Sequence, residues 1–265
     1  MAKPSSAQRR FRKTGPQHRL AMYEAEAEGL AALRATQTVR VPEVFGTGIT
    51  KDGMAWIELE YLELSPLSPR AGARLGERLA ALHWKTGHEA GARFGWPRDN
   101  FIGITPQSNR SHTNWAVFFA KERLEPQLAR AKANGMPAAA LALGERLCER
   151  LGAFFLDYQP LPCLLHGDLW AGNGGELPDG SPVIFDPAVY RGDREADLAM
   201  AELFGGYPEA FYAAYRVHWP LDAGFETRKT LYNLYHILNH FNMFGASYLN
   251  QARRMIEWLL AELKG

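Results

Sequence analysis

The stretch Leu161-Pro162-Cys163-Leu164-Leu165-His166-Gly167-Asp168-Leu169-Trp170-Ala171-Gly172-Asn173, followed by Val183-Ile184-Phe185-Asp186-Pro187, decides how this chain is read. Each part is a short apolar β-type segment that ends at an acid. Asp168 and Asn173 stand five positions apart just after the first segment, and Asp186 closes the second. A strand end holds its backbone firmly while a side chain faces a cleft, so it is a good place to display reactive groups. Two carboxylates and a carboxamide pack poorly in a core but are good hard-oxygen ligands. Mg²⁺ takes oxygen donors in octahedral geometry, commonly one or two carboxylates with phosphate oxygens completing the set. The turn-rich segment 174–182 is expected to fold back as a hairpin that brings the two strand ends together.

This order matches the layout used for phosphoryl transfer from ATP. One aspartate accepts the proton of the acceptor hydroxyl, an asparagine five residues on binds metal, and a second aspartate on the next hairpin binds metal. Asp168 is accordingly read as the base, and Asn173 and Asp186 as Mg²⁺ ligands. Singly, His-Gly-Asp and Asp-Pro are only turn signals; the ordered triple carries the reading. His166 is assigned to bonding backbone rather than to proton transfer. His236 and His240 have a spacing that could bind metal on a helix. No acid stands between them, and Tyr232, Tyr235, Phe241 and Phe244 nearby point to packing instead.

The rest of the chain sets bounds. It has 265 residues, 46% of them hydrophobic, so a substantial core can be buried. Thirty basic residues balance 29 acidic ones, which gives no argument for nucleic acid or an anionic membrane as partner. Cys148 and Cys163 form neither a metal motif nor a disulfide framework, and they read as reduced packing residues of a reducing compartment. No run reaches the roughly eighteen apolar residues of a membrane span, and no signal-peptide core opens the chain. A cytoplasmic protein is expected.

Along the chain, residues 1–8 read as a loose polar leader. Helical spacing covers 20–34, an extended segment broken by Pro42 follows, and 54–64 alternates as a half-buried strand. Ser65-Pro66-Leu67-Ser68-Pro69 is the linker candidate. Beyond it helices are expected over 71–86, 115–134 and 138–158, with a loop across 87–113 and mainly helix again after 187. The expectation is an α+β chain of two lobes: a small sheet-plus-helix lobe over 1–64 and a larger, mainly helical lobe over 65–265.

His166-Gly167-Asp168-Leu169-Trp170, Phe185-Asp186-Pro187-Ala188-Val189-Tyr190 and Glu195-Ala196-Asp197-Leu198-Ala199-Met200 resemble the fructosamine kinases, or ketosamine-3-kinases. Phe94-Gly95-Trp96, Asp99-Asn100-Phe101-Ile102-Gly103 and Trp115-Ala116-Val117-Phe118-Phe119 are similar to that family's middle section. The resemblance runs from about residue 11 to the end and implies the aminoglycoside-phosphotransferase-like branch of the protein-kinase fold. It also implies an ATP- and Mg²⁺-dependent enzyme that phosphorylates a sugar hydroxyl of ketosamines, as small molecules or on glycated protein lysines, in deglycation. Trp170 would stack on the sugar or its amine-bearing part, and Glu195 and Asp197 would fix the catalytic loop. A monomer or weak dimer is expected.

Kinases of this fold hold the α- and β-phosphates with a strand lysine that a helix glutamate orients. Lys13 and Glu26 are the expected pair, with Glu24 and Glu28 as alternatives. Glu60-Tyr61-Leu62 falls where the hinge strand should lie, so the Glu60 and Leu62 backbone would meet adenine. A glycine-rich hairpin is expected upstream of the lysine strand. Only twelve residues precede Lys13, none of them glycine, so this hairpin is expected to be missing and ATP affinity weakened. Two other readings stay open: a kinase for another hydroxylated amine, such as an aminoglycoside or choline, and a nucleotide-binding pseudokinase.

Overall fold

A computed structural model describes residues 9–263; the polar leader expected over 1–8 lies outside them. The chain begins with β1 (Arg10–Pro16), which leads through a 3₁₀ turn into α1 (Leu20–Ala35). Then come β2 (Val44–Ile49) and β3 (Met54–Glu60). These strands form one antiparallel sheet in the order β1-β3-β2, with Lys13 opposite Ile57. Alternation in β3 puts Ala55, Ile57 and Leu59 into the core against Leu30 and Leu33 of α1. This is the smaller lobe.

The larger lobe opens with α2 (Pro69–Gly87). Part of the expected linker is its cap: the Ser68 hydroxyl accepts from the Ala71 N–H, and Pro69 fills the first turn. The loop expected over 87–113 contains a hairpin, β4 (Asn100–Ile102) and β5 (Thr105–Gln107), closed by Gly103 at φ +58° and Ile104. A primed two-residue turn needs such a positive φ. The helix expected over 115–134 is α3 (Trp115–Phe118), a π turn over Phe119–Leu124 and α4 (Glu125–Ala133). Next, α5 (Ala138–Arg150) ends earlier than the expected 158 and gives way to a 3₁₀ turn.

Four short strands then build the floor of the site: β6 (Cys163–Leu165), β7 (Gly174–Glu176), β8 (Pro182–Ile184) and β9 (Tyr190–Gly192). The hairpin expected at 174–182 forms as β7 with β8, while β6 pairs with β9. The two apolar strands are therefore not each other's partners. Four helices complete the lobe: α6 (Glu195–Leu203), α7 (Glu209–His218), α8 (Phe225–Phe244) and α9 (Leu249–Glu262).

Two apolar clusters support this arrangement. One lies among α3 to α5, α8 and α9, and the other runs unbroken from Leu30 and Ile57 through Leu79 of α2 to Phe211 of α7. The two lobes therefore share a core. The crossing of α2 and α7 is close: a Cβ on Gly76 would lie 2.1 Å from the Phe211 carbonyl oxygen. Backbone cannot rotate aside as a side chain can, so Gly76→Ala must push the helices apart. Chemical denaturation should show a loss of about 3 kcal/mol, at the upper end of overpacking costs.

Candidate active site

Lys13, Glu26, Asp168, Trp170, Asn173 and Asp186 line one cleft of about 550 Å³ between the lobes. Four chain segments, spread over 174 positions, deliver them. Glu60 and Leu62 do not line it. The Glu60 carboxylate instead takes Arg40 at 2.6 Å and the Glu43 N–H at 3.1 Å. A larger groove, about 1180 Å³, lies against α4 and α5 and holds none of these residues.

The turn after β6 is fixed from both sides. Asp197 of α6 accepts the His166 N–H at 2.7 Å and the Gly167 N–H at 2.9 Å. It also meets the wholly buried His83 ring at 3.3 Å. Burial acts to raise the Asp197 pKa, but His83 and these N–H groups hold it below the ordinary range. Gly167 is required here: φ is +81°, and a Cβ would stand 2.1 Å from the Ala188 carbonyl oxygen. The His166 ring accepts the Asp168 N–H on Nδ1 at 3.3 Å and donates from Nε2 to the Phe185 carbonyl at 3.0 Å. It therefore bonds backbone and ties the two turns together. Glu195, expected beside Asp197 on this loop, pairs instead with Arg228 at 2.8 and 3.0 Å.

Asn173 joins the acids. Its Nδ2 donates to the Asp168 carbonyl at 2.9 Å, to Asp168 Oδ2 at 3.1 Å and to the Asp186 carbonyl at 3.5 Å. That fixes the amide orientation and leaves Oδ1 as its metal-competent atom. Asp186 sits at φ +56°, a left-handed conformation that aspartate tolerates better than most residues. Lys13 Nζ lies 2.9 Å from Glu26 Oε1 and 2.5 Å from Asp186 Oδ1. Among the alternatives, Glu28 accepts the Trp96 indole N–H at 2.7 Å, and Glu24 lies 3.8 Å from Arg98.

The electrostatics follow from crowding. Burial first, then the Asp186 and Asp197 charges, push the Asp168 pKa up to about 7 against the Asn173 bond. Burial raises Glu26 to about 7, although Lys13 opposes it. Burial works against the Lys13 charge, but Glu26 and Asp186 outweigh it and raise its pKa. Lys13 thus lies between two carboxylates, Glu26 and Asp186, while Asp168 lines the same cleft. Among the described residues no cluster of three His, Cys, Asp or Glu forms a metal cage. The donor set of one carboxylate and one amide oxygen fits Mg²⁺, which keeps sites for phosphate and water. It does not fit a soft-ligand metal.

Trp170 is 36% exposed, its ring covers Gly172, and its carbonyl accepts the Tyr207 hydroxyl at 2.8 Å. Phe204 stands edge-on to it at 6.4 Å and meets His240 at 4.7 Å. His240 therefore belongs to an aromatic wall, as its neighbours in sequence suggested. Sequence reasoning missed the hairpin residues Phe101 and Ile104, which also line the cleft. The Gly103-Ile104 pair between two short runs was the available signal.

No helix among the described residues is long and apolar enough to cross a membrane. A family model described as fructosamine kinase matches residues 2–262. The curated relative "Probable ketoamine kinase slr1563" of Synechocystis is 48% identical over 96% of this chain and 83% of its own length. The chloroplastic protein-ribulosamine 3-kinase of Arabidopsis thaliana is 40% identical over 96% of this chain and 75% of its own. A solved structure of a candidate fructosamine-3-kinase from Haemophilus somnus superposes with a TM-score of 0.86 at 31% identity, covering 96% of this chain and 84% of that one. A thermostable mutant of aminoglycoside phosphotransferase APH(4)-Ia matches at TM-score 0.64 and 13% identity, over 97% of this chain and 88% of that one, a likeness of fold. With a mixed α+β, two-lobed kinase fold and a family match across nearly its whole length, the chain belongs to the fructosamine kinase family.

Proposed function

We propose that this protein transfers the γ-phosphoryl group of ATP to a sugar hydroxyl of a ketosamine. The observation that carries the reading is that Asp168, Asn173 and Asp186 line one cleft with the Lys13–Glu26 pair, and that Lys13 touches Asp186. Family membership directs it to ketosamines: one relative is named a ketoamine kinase and another a protein-ribulosamine 3-kinase. Free ketosamines and ketosamine-bearing protein lysines are both in the substrate class, and the enzyme acts in the cytoplasm. Residues 1–64 are assigned to the nucleotide-binding lobe and 65–265 to the helical lobe that carries the catalytic and metal-binding loops.

In this reading Asp168 accepts the proton of the attacking hydroxyl. Its burial suits the task, because a base whose pKa lies near neutrality takes a proton and later gives it up without a large penalty either way. Asn173 does two jobs: Nδ2 fixes the Asp168 carboxylate, and Oδ1 is a metal donor. Asp186 supplies a carboxylate to the same cation. Mg²⁺, when bound, neutralises the charge that gathers on the phosphate oxygens during transfer. Lys13, aimed by Glu26, holds the α- and β-phosphates. Trp170 offers its exposed face to the sugar and the amine beside it, a contact worth roughly 0.5–2 kcal/mol with a cation.

A panel of acceptors scored by ADP release tests the assignment. N-substituted fructosylamines and ribulosylamines should drive ADP release that depends on Mg²⁺. Turnover of aminoglycosides or choline with none on ketosamines would overturn the substrate class. Nucleotide binding without turnover on any acceptor would make the protein a pseudokinase.

A further inference from the structure

The segment Phe94-Gly95-Trp96 is held firmly on the larger lobe. Phe94 and His112 exchange backbone hydrogen bonds at 3.1 and 3.0 Å, and Gly95 exchanges them with Arg191 of β9 at 2.9 and 2.8 Å. The Trp96 N–H donates to the Asn109 carbonyl at 2.9 Å. Gly95 has φ +113°, and a Cβ there would lie 2.6 Å from the Asn109 carbonyl oxygen, so only glycine allows this close approach.

From that base the Trp96 side chain reaches across to α1. Its indole N–H donates to Glu28 Oε1 at 2.7 Å, and Arg98 adds contacts at 3.4 Å to Glu28 and 3.8 Å to Glu24. Glu24 and Glu28 lie four apart on one face of the helix, whereas Glu26 lies between them on the other. Turning α1 about its axis far enough to release Glu28 would therefore carry Glu26 away from Lys13. On the same helix Gly29 packs against Pro187 and Val189, just past Asp186. A Cβ at position 29 would stand 3.2 Å from the Val189 methyls and 3.3 Å from the Pro187 ring, so the approach there is close.

We propose that Trp96 is a positioning residue for nucleotide binding. By holding Glu28 it sets the rotation of α1, and so keeps Glu26 on Lys13 and Lys13 where the phosphates arrive. The pair is thereby held from the larger lobe. The inference rests on the proposed role of Lys13 in binding ATP.

The test uses four variants of the full chain. Trp96→Phe keeps an aromatic ring but loses the indole N–H with part of the fused ring, Glu28→Ala removes the acceptor, Glu28→Gln keeps an acceptor oxygen, and Lys13→Ala is the control. MgADP affinity by calorimetry is read beside KM for ATP, KM for a fructosylamine and the unfolding midpoint. Trp96→Phe and Glu28→Ala should each weaken MgADP and raise KM for ATP by roughly tenfold, the scale of one hydrogen bond to a charged group. KM for the acceptor should not move. Combining the two should add little, because they remove the same contact, and Glu28→Gln should restore most of the affinity. Unchanged nucleotide affinity in Trp96→Phe while Lys13→Ala loses it would overturn the proposal and leave the kinase reading standing. A lowered unfolding midpoint with both KM values shifted alike would reduce Trp96 to a packing residue. Full nucleotide affinity in Lys13→Ala would instead overturn the assignment of Lys13, and with it the ground for this one.

Discussion

Asp168→Asn should lower kcat by a factor of about a hundred to ten thousand while leaving nucleotide affinity little changed. The range is what a positioned general base typically contributes. Asparagine keeps the shape and still offers an oxygen to Asn173 Nδ2, which lies 3.1 Å from Asp168 Oδ2. What it removes is the ability to take the acceptor proton. A loss confined to kcat assigns Asp168 to the chemical step; a near-normal rate would sink that role. The same variant should be more stable than the parent at pH 8 when no nucleotide or metal is added. Burial raises the Asp168 pKa to about 7, above the value near 4 of an unfolded aspartate. The folded chain therefore binds this proton more tightly than the unfolded one. The cost is absent below about pH 4, grows as pH rises, and is complete above about pH 7. Asparagine, neutral throughout, avoids it, so the gain should be about 1–3 kcal/mol at pH 8 and shrink as pH falls through 7. Loss of turnover with a gain in stability is the signature of a group kept for chemistry.

The residues that could be read in advance are those whose meaning lies in local order. Asp168, Asn173 and Asp186 follow one another at fixed spacing after apolar runs, and the structure gathers all three. The helix of Glu26 was also legible from its spacing, and Glu26 was the expected partner of Lys13, but spacing alone left Glu24 and Glu28 open as alternatives. That choice depends on how α1 is rotated against the sheet. Rotation is set by contacts from Trp96, Arg98 and Val189, far along the chain. The pairing of β6 with β9 was hidden for a related reason. Strands of three residues carry almost no periodic signal, and their partners are chosen by the closing of long loops. The cap at Ser68 shows a different failure. Two Ser-Pro steps read as a linker, yet the second supplies both the capping hydroxyl and the proline that begin α2.

Asp186 gives the second large effect, and here the choice of replacement matters. Alanine at φ +56° would add backbone strain to any loss of ligand, whereas asparagine tolerates the left-handed region. Asp186→Asn therefore isolates the charge. MgADP affinity should fall by about a hundredfold, as expected when a hard-cation site loses its only charged ligand and is left with neutral amide oxygens. ADP without metal should behave differently. Lys13 shares its ammonium between Glu26 and Asp186, at 2.9 and 2.5 Å. Removing one carboxylate leaves the lysine freer for phosphate and removes a negative charge from the path of an anion. Affinity for metal-free ADP should then hold or rise as affinity for MgADP collapses. Calorimetry with and without Mg²⁺ reads both affinities, and the divergence between them is the point. A structural role for Asp186 predicts that both affinities fall together, and a role as proton acceptor predicts that neither does. Only a carboxylate that binds the cation, and is neutralised by Lys13 until the cation arrives, separates the two.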